Sequence, residues 1–259
     1  MHAFIQEITA HGTIYGALAF LSFLNIIVPM SGSSTTTPLV LALTGNPQYA
    51  IAISSWILML NTAIGAWIFR AYIRKDYALK LLPASLVGVI AGALLLLNLP
   101  DWLVTLVLFL FSAHFLYKTV KHFLATKKEV NKSPSSSVVG TVATFVSSFL
   151  QGTGLSGGGM RVSYLYAEGL KVEEVRGTGN LLNFLVFATA GLVRLGDGQI
   201  SLPDMFGWTL IFVPILIIAN FLGRKVLLRL PDRVNDAIII LTMVWIVTDL
   251  FAKGVLMAV

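Results

Sequence analysis

Two stretches of this chain break apolar sequence with small polar residues, in corresponding places of its two halves. The first is Ser31-Gly32-Ser33-Ser34-Thr35-Thr36-Thr37-Pro38, and the second is Thr153-Gly154-Leu155-Ser156-Gly157-Gly158-Gly159-Met160-Arg161. Hydroxyls at Ser33, Ser34, Thr35, Thr36, Thr37 and Ser156 are donors. Backbone amides at Gly157, Gly158 and Gly159 can approach a ligand closely because no Cβ intervenes. Successive amides in a Gly-rich turn, at the start of a helix, form a concave nest for an anion. Arg161 adds a planar guanidinium suited to oxyanions. The chemistry these residues could perform is capture of a compact, delocalised anion. Small residues also let helices pack closely, which is the plainer account of the same pattern.

Polar amides extend the set. Asn25, Asn61, Gln151, Asn180 and Asn183 all fall in otherwise apolar surroundings. Asn180 and Asn183 are three apart and share a helix face. They could donate to the anion, satisfy a broken backbone, or join helices. Ser54, Ser55 and Thr178 read as openings of the helices after each break, where capping explains them as well as binding. Arg161 has two alternative fates, pairing with Glu168 or snorkelling to the interface. His114 and Asp249 are candidates for proton coupling.

Such residues need a scaffold, and composition says which. Hydrophobic residues make up 56% of the chain and charged residues 12%, against about 25% charged in a soluble domain. Mean hydropathy is +0.84. This is an all-α polytopic membrane protein. A break in an apolar segment leaves backbone groups unpaired at membrane depth, so it must line an enclosed cavity. Paired breaks, one per half, point to the binding site of a transporter built from repeats. The chain has no Cys, and its four His are scattered, which gives no basis for a disulfide, a metal centre or a cofactor. The net charge of +6 is carried in loops, as in a membrane protein, with nothing that suggests nucleic acid.

Apolar segments near the roughly 20 residues of a membrane span cover 12–30, 48–69, 79–99, 102–121, 177–195, 205–222 and 236–256, while 34–44, 138–152 and 158–168 are short. Fifteen of the 18 Lys and Arg residues lie in four connections, 70–80, 118–132, 171–176 and 223–235. All four are cytoplasmic only if 12–44 and 138–168 each enter the membrane and return to the same side. The expected organisation is therefore an outer N-terminus (1–11), repeat 1 (12–125, hairpin 12–44 and three helices), a cytoplasmic linker (126–137) and repeat 2 (138–259, hairpin 138–168 and three helices). Three crossings per half make the repeats inverted in topology and put both termini outside. Segment 12–30 is long enough to cross fully instead. At an offset of 124 residues, Gly45 aligns with Gly169, Ser54 with Thr178, and Ser33-Ser34-Thr35 with Gly157-Gly158-Gly159.

The run Leu155-Ser156-Gly157-Gly158-Gly159, then Gly169, then Arg176-Gly177-Thr178-Gly179-Asn180 and Asn183, resembles the TauE/SafE family of sulfite and organosulfonate exporters. Ser31 to Pro38, Gly45 and Ser54-Ser55 repeat that layout in the first half, with hydroxyls where glycines are usual. The resemblance runs from about residue 12 to the end. It implies a carrier of the bacterial inner membrane that exports sulfite or a sulfonate such as sulfoacetate by alternating access. It does not choose the anion, the coupling ion or the oligomeric state, homo-oligomers included. Two other classes remain: a passive anion channel, and an intramembrane hydrolase using Ser156 in Gly154-Leu155-Ser156-Gly157. The hydrolase lacks a downstream base, since no His follows His122.

Overall fold

A computed structural model describes residues 36–38, 40–41, 45–100, 137–155 and 157–227, with isolated positions between 102 and 120 and positions 241, 244 and 248. The described residues are helical and include no strand. Segments 12–30 and 126–136 lie outside them, as do His114, Asp249 and Asn25.

Helix α1 (Pro47–Ile68) begins where Asn46 Oδ1 accepts the Tyr49 N–H at 3.0 Å and Pro47 supplies a preset first turn. A 3-10 turn, Arg70–Tyr72, leads to α2 (Lys75–Leu97), which carries Asp76 in its first turn. Then come α3 (Ser137–Gly152), α4 (Gly158–Ala167), α5 (Val172–Gly196) and α6 (Leu202–Leu227). Helices α1 and α5 therefore start well before Ser54, Ser55 and Thr178, which sit mid-helix and cap neither. Thr178 Oγ1 instead accepts the Arg74 N–H at 3.0 Å, just ahead of α2.

Three of the described helices, of 22, 23 and 24 residues, are long and apolar enough to cross a membrane. At 1.5 Å per residue they cover the roughly 30 Å of hydrocarbon. The 16 residues of α3 and 10 of α4 do not. Helix α3 is polarised inward: Thr144, Ser147, Ser148 and Gln151 are fully buried, and Val138, Val139, Val142 and Phe145 are exposed. A helix on a water-soluble core shows the reverse.

Helices α1 and α5 run antiparallel. Gln199 Nε2 donates to Gln48 Oε1 at 3.1 Å at one end. Asn180 faces Gly65 further along, and Gly177 meets the backbone of Phe69 at the other end. Helix α2 lies along α3 at backbone contact: a Cβ on Gly88 would stand 2.5 Å from Phe145 O, and on Gly92 2.1 Å from Phe149 O. Such contact is how small residues bring membrane helices together. Helices α3 and α4 fold back on each other, with Gly140 against the Tyr164 ring and the turn between them level with Val89–Ala93 of α2.

Connections sort to two ends. Residues 45–48, 96–99 and 197–200 meet at one, through Gln48 to Leu96 O (3.5 Å) and to Gln199. The basic 70–75 turn and the 168–176 connection meet at the other, through Arg74 to Glu174 (3.4 Å) and Tyr77 to Glu168 (3.2 Å). The aligned glycines Gly45 and Gly169 both take left-handed backbone, φ +68° and +82°, just ahead of α1 and α5.

Candidate functional site

The site is built where α3 stops and α4 starts. Arg161, in the first turns of α4, is 1% exposed. Its Nη1 donates to Ser85 Oγ of α2 (3.5 Å) and Ser148 Oγ of α3 (3.3 Å). Its Nη2 donates to Gln151 Oε1 (3.1 Å) and, closely, to Asn183 Oδ1 of α5. Gln151 Nε2 also donates to Asn183 Oδ1 at 3.0 Å, locking the two amides together. The Nε–H is buried with no acceptor among the described residues.

Every one of these acceptors is neutral. Among the described residues the ion pairs are Arg74–Asp76 and Arg74–Glu174, at the basic end. Glu168 hydrogen-bonds Tyr77 rather than Arg161, and burial excludes snorkelling, so neither alternative for Arg161 occurs here. The positive end of the α4 dipole lies beside the same charge. A buried cation without a counterion is expensive, and two positive features at one place make a strong electrostatic trap for an anion. The Ser85 and Ser148 hydroxyls accept from the arginine and keep their own protons to give.

The glycines divide by role. A Cβ on Gly157 would stand 2.0 Å from Ser147 O, and Ser147 Oγ donates to Gly157 O at 2.7 Å. Gly157 thus serves the fold of the hairpin. Gly158 is buried in the first turn of α4. Gly159 is exposed, and a Cβ there would meet nothing within 4 Å.

Gln151 and Asn183 thus meet at Arg161, and the three glycines precede it at the start of α4. Asn180 turns instead toward Gly65 of α1, with Nδ2 2.6 Å from where a Cβ would sit, and acts between helices. Asn61 is partly buried on α1, and Thr36 and Thr37 are buried in a helical stretch ahead of it. Ser33, Ser34, Thr35 and Ser156 lie outside the described residues.

Sequence reasoning missed Ser85, Ser148 and Arg194. Arg194, fully buried near the end of α5, donates from Nη1 to Ser55 Oγ (2.9 Å) and from Nη2 to Gly152 O, at the C-terminus of α3. A cation suits that end of a helix. The signal for Ser148 was present: Thr144, Ser147, Ser148 and Gln151 recur at helical spacing through an apolar segment.

Apolar membrane-length helices around a broken hairpin are those of a helical membrane protein. Residues 14–250 match the model of the sulfite exporter TauE/SafE family. The chain belongs to that family, whose members are membrane transporters of sulfur-containing anions. No curated protein and no solved structure matches the chain.

Proposed function

We propose that this protein exports sulfite or an organosulfonate such as sulfoacetate across the bacterial inner membrane by alternating access. The anion sits between the tips 31–38 and 153–161 near the bilayer midplane. One observation carries this reading: Arg161 is buried at the start of α4, and its partners among the described residues are all neutral. An oxyanion supplies the missing charge. It takes the Nε–H, the Gly158 and Gly159 amides and the protons of Ser85 and Ser148.

The inverted repeat fits the same reading. Gly45 and Gly169 share left-handed backbone at aligned positions, and the helices that follow them pack antiparallel. In that arrangement 12–44 mirrors the hairpin 138–168, both termini are outside, and the basic end faces the cytoplasm. The inside-negative potential favours anion efflux by about 2.3 kcal/mol per charge per 100 mV.

The test is uptake of radiolabelled sulfite and sulfoacetate into proteoliposomes, wild type beside Arg161→Ala. Saturable uptake, competed by other sulfonates and reduced more than about tenfold in the variant, is expected from the loss of a charge-assisted contact. Unchanged affinity and rate in Arg161→Ala would remove the proposed site. Unitary currents in planar bilayers would replace the carrier with a channel.

A further inference from the structure

An anion bound at Arg161 needs a way in, and burial marks one. Ser85, Ser148 and Gln151 are fully buried, and Arg161 is 1% exposed. Of the described side chains that accept from Arg161, Asn183 alone is partly exposed. Asn180 and Arg176 precede it by three and seven residues, on the same face of α5. Both are partly exposed as well, and Asn180 makes no side-chain hydrogen bond among the described residues. Open amides at this depth call for water, since hydrocarbon offers them no partner.

That face of α5 looks onto α1. Asn180 stands at Gly65, where the missing side chain leaves room for its amide. Nearer the basic end, Gly177 fits against the Phe69 carbonyl, and Arg176 Cζ lies 5.9 Å from the centre of the Phe69 ring. The ring occupies the face of the guanidinium and not its N–H edge. Arg176 forms no ion pair among the described residues. The nearby carboxylates are engaged or turned to solvent: Arg74 holds Asp76 at 2.8 Å and Glu174 at 3.4 Å, and Glu173 is exposed.

We propose that Arg176, Asn180 and Asn183 line the route by which the anion reaches Arg161 from the basic end, with Arg176 as the first point of capture. This deepens the proposed function and rests on the anion binding at Arg161. The three positions span about 10 Å along α5, at 1.5 Å per residue. An anion therefore passes from a cation at the mouth, along neutral amides, to a cation at the closed end. Attraction at a wet mouth reaches about 30 Å in 10 mM salt and about 3 Å in 1 M. Arg176 thus sets the rate of entry, and Arg161 sets the affinity.

The chain has no Cys, so one introduced thiol reports one position. Asn180→Cys in lipid nanodiscs is reacted with 2-sulfonatoethyl methanethiosulfonate, an anionic sulfonate, and with its cationic trimethylammonium counterpart. Only a hydrated thiol ionises and reacts readily. Val87→Cys, at a position 60% exposed midway along α2, is the control facing lipid. The anionic reagent is expected to label Asn180→Cys at least about tenfold faster than Val87→Cys, and sulfoacetate to slow it. Adding Arg176→Gln should slow the anionic reagent at least about threefold in 10 mM salt, spare the cationic one, and lose its effect in 1 M salt. Arg176→Lys should recover the rate. With Arg176 in place, the anionic rate should itself fall at least about threefold between those salt concentrations, which tests the capture step without a variant there. Labelling no faster than at Val87→Cys, or an anionic rate indifferent to both Arg176→Gln and salt, would overturn the route. Sulfoacetate uptake by the wild type, measured beside these, would then leave the proposed function standing. Labelling as expected in protein that takes up neither sulfite nor sulfoacetate would overturn the proposed export and leave the route.

Discussion

Arg161 and Arg194 hold two consecutive residues of one helix end: Arg161 takes the Gln151 side chain and Arg194 the Gly152 carbonyl. Their electrostatic settings differ. Arg194 faces the negative end of α3 and Arg161 lies at the positive end of α4, and the Nε–H of each is buried with no acceptor among the described residues. One arginine ties α5 to the end of α3, and the other joins α4 to α2, α3 and α5.

Replacing Arg161 by Met separates charge from packing. Exchanging a buried charge for an apolar side chain of similar size is often neutral or stabilising, so melting in detergent is expected to hold or rise. Stabilisation by sulfite, about 2.7 kcal/mol at a hundredfold excess over Kd, is expected to vanish. A sulfite shift that survives in Arg161→Met would place the anion elsewhere.

Arg194→Ala should act on stability more than on affinity. It strips the Gly152 carbonyl of its partner, at a cost of about 1–3 kcal/mol for an unsatisfied buried group. Thermal unfolding of purified protein measures this loss, and the concentration dependence of uptake shows whether affinity stays within about threefold.

The two asparagines should separate cleanly. Asn183→Ala removes the acceptor shared by Arg161 and Gln151 and is expected to weaken sulfite binding about tenfold, as loss of a hydrogen bond to a charged group does. Asn180→Ala, at the α1 contact, should leave binding within about twofold. Isothermal titration of both variants decides the matter, and equal losses would contradict the division drawn here.

The glycines give a fourth comparison. Gly157→Ala drives a Cβ into the Ser147 carbonyl and should lower the yield of folded, monodisperse protein. Gly159→Ala points into open space, so it should fold normally and lose transport through obstruction of its amide. Size-exclusion profiles beside uptake rates distinguish the two effects.

Much of this arrangement was readable beforehand because bilayer physics is strict. The hairpin tip, Arg161, Gln151 and Asn183 stand out through the cost of unpaired polar groups in hydrocarbon, but that Gln151 and Asn183 bond each other was not readable. Helix starts were less readable. Ser54, Ser55 and Thr178 looked like caps, but Asn46-Pro47 starts α1 seven residues earlier, and Lys171 precedes α5. Arg194 was hidden because it lies beside a loop in sequence, and only tertiary packing brings it to Gly152. Ser85 was a single hydroxyl on a long apolar helix, with nothing in its spacing to single it out.

The polar stripe of α3 has a consequence for how the protein is made. Thr144, Ser147, Ser148 and Gln151 give this segment little reason to leave the translocation machinery for lipid by itself. Helix α2, with Ser85 and the glycine surface, is synthesised first, whereas Asn183 on α5 emerges afterwards. The hairpin thus meets half of its partners during synthesis and the rest later, so the order of assembly is set by the order of the chain.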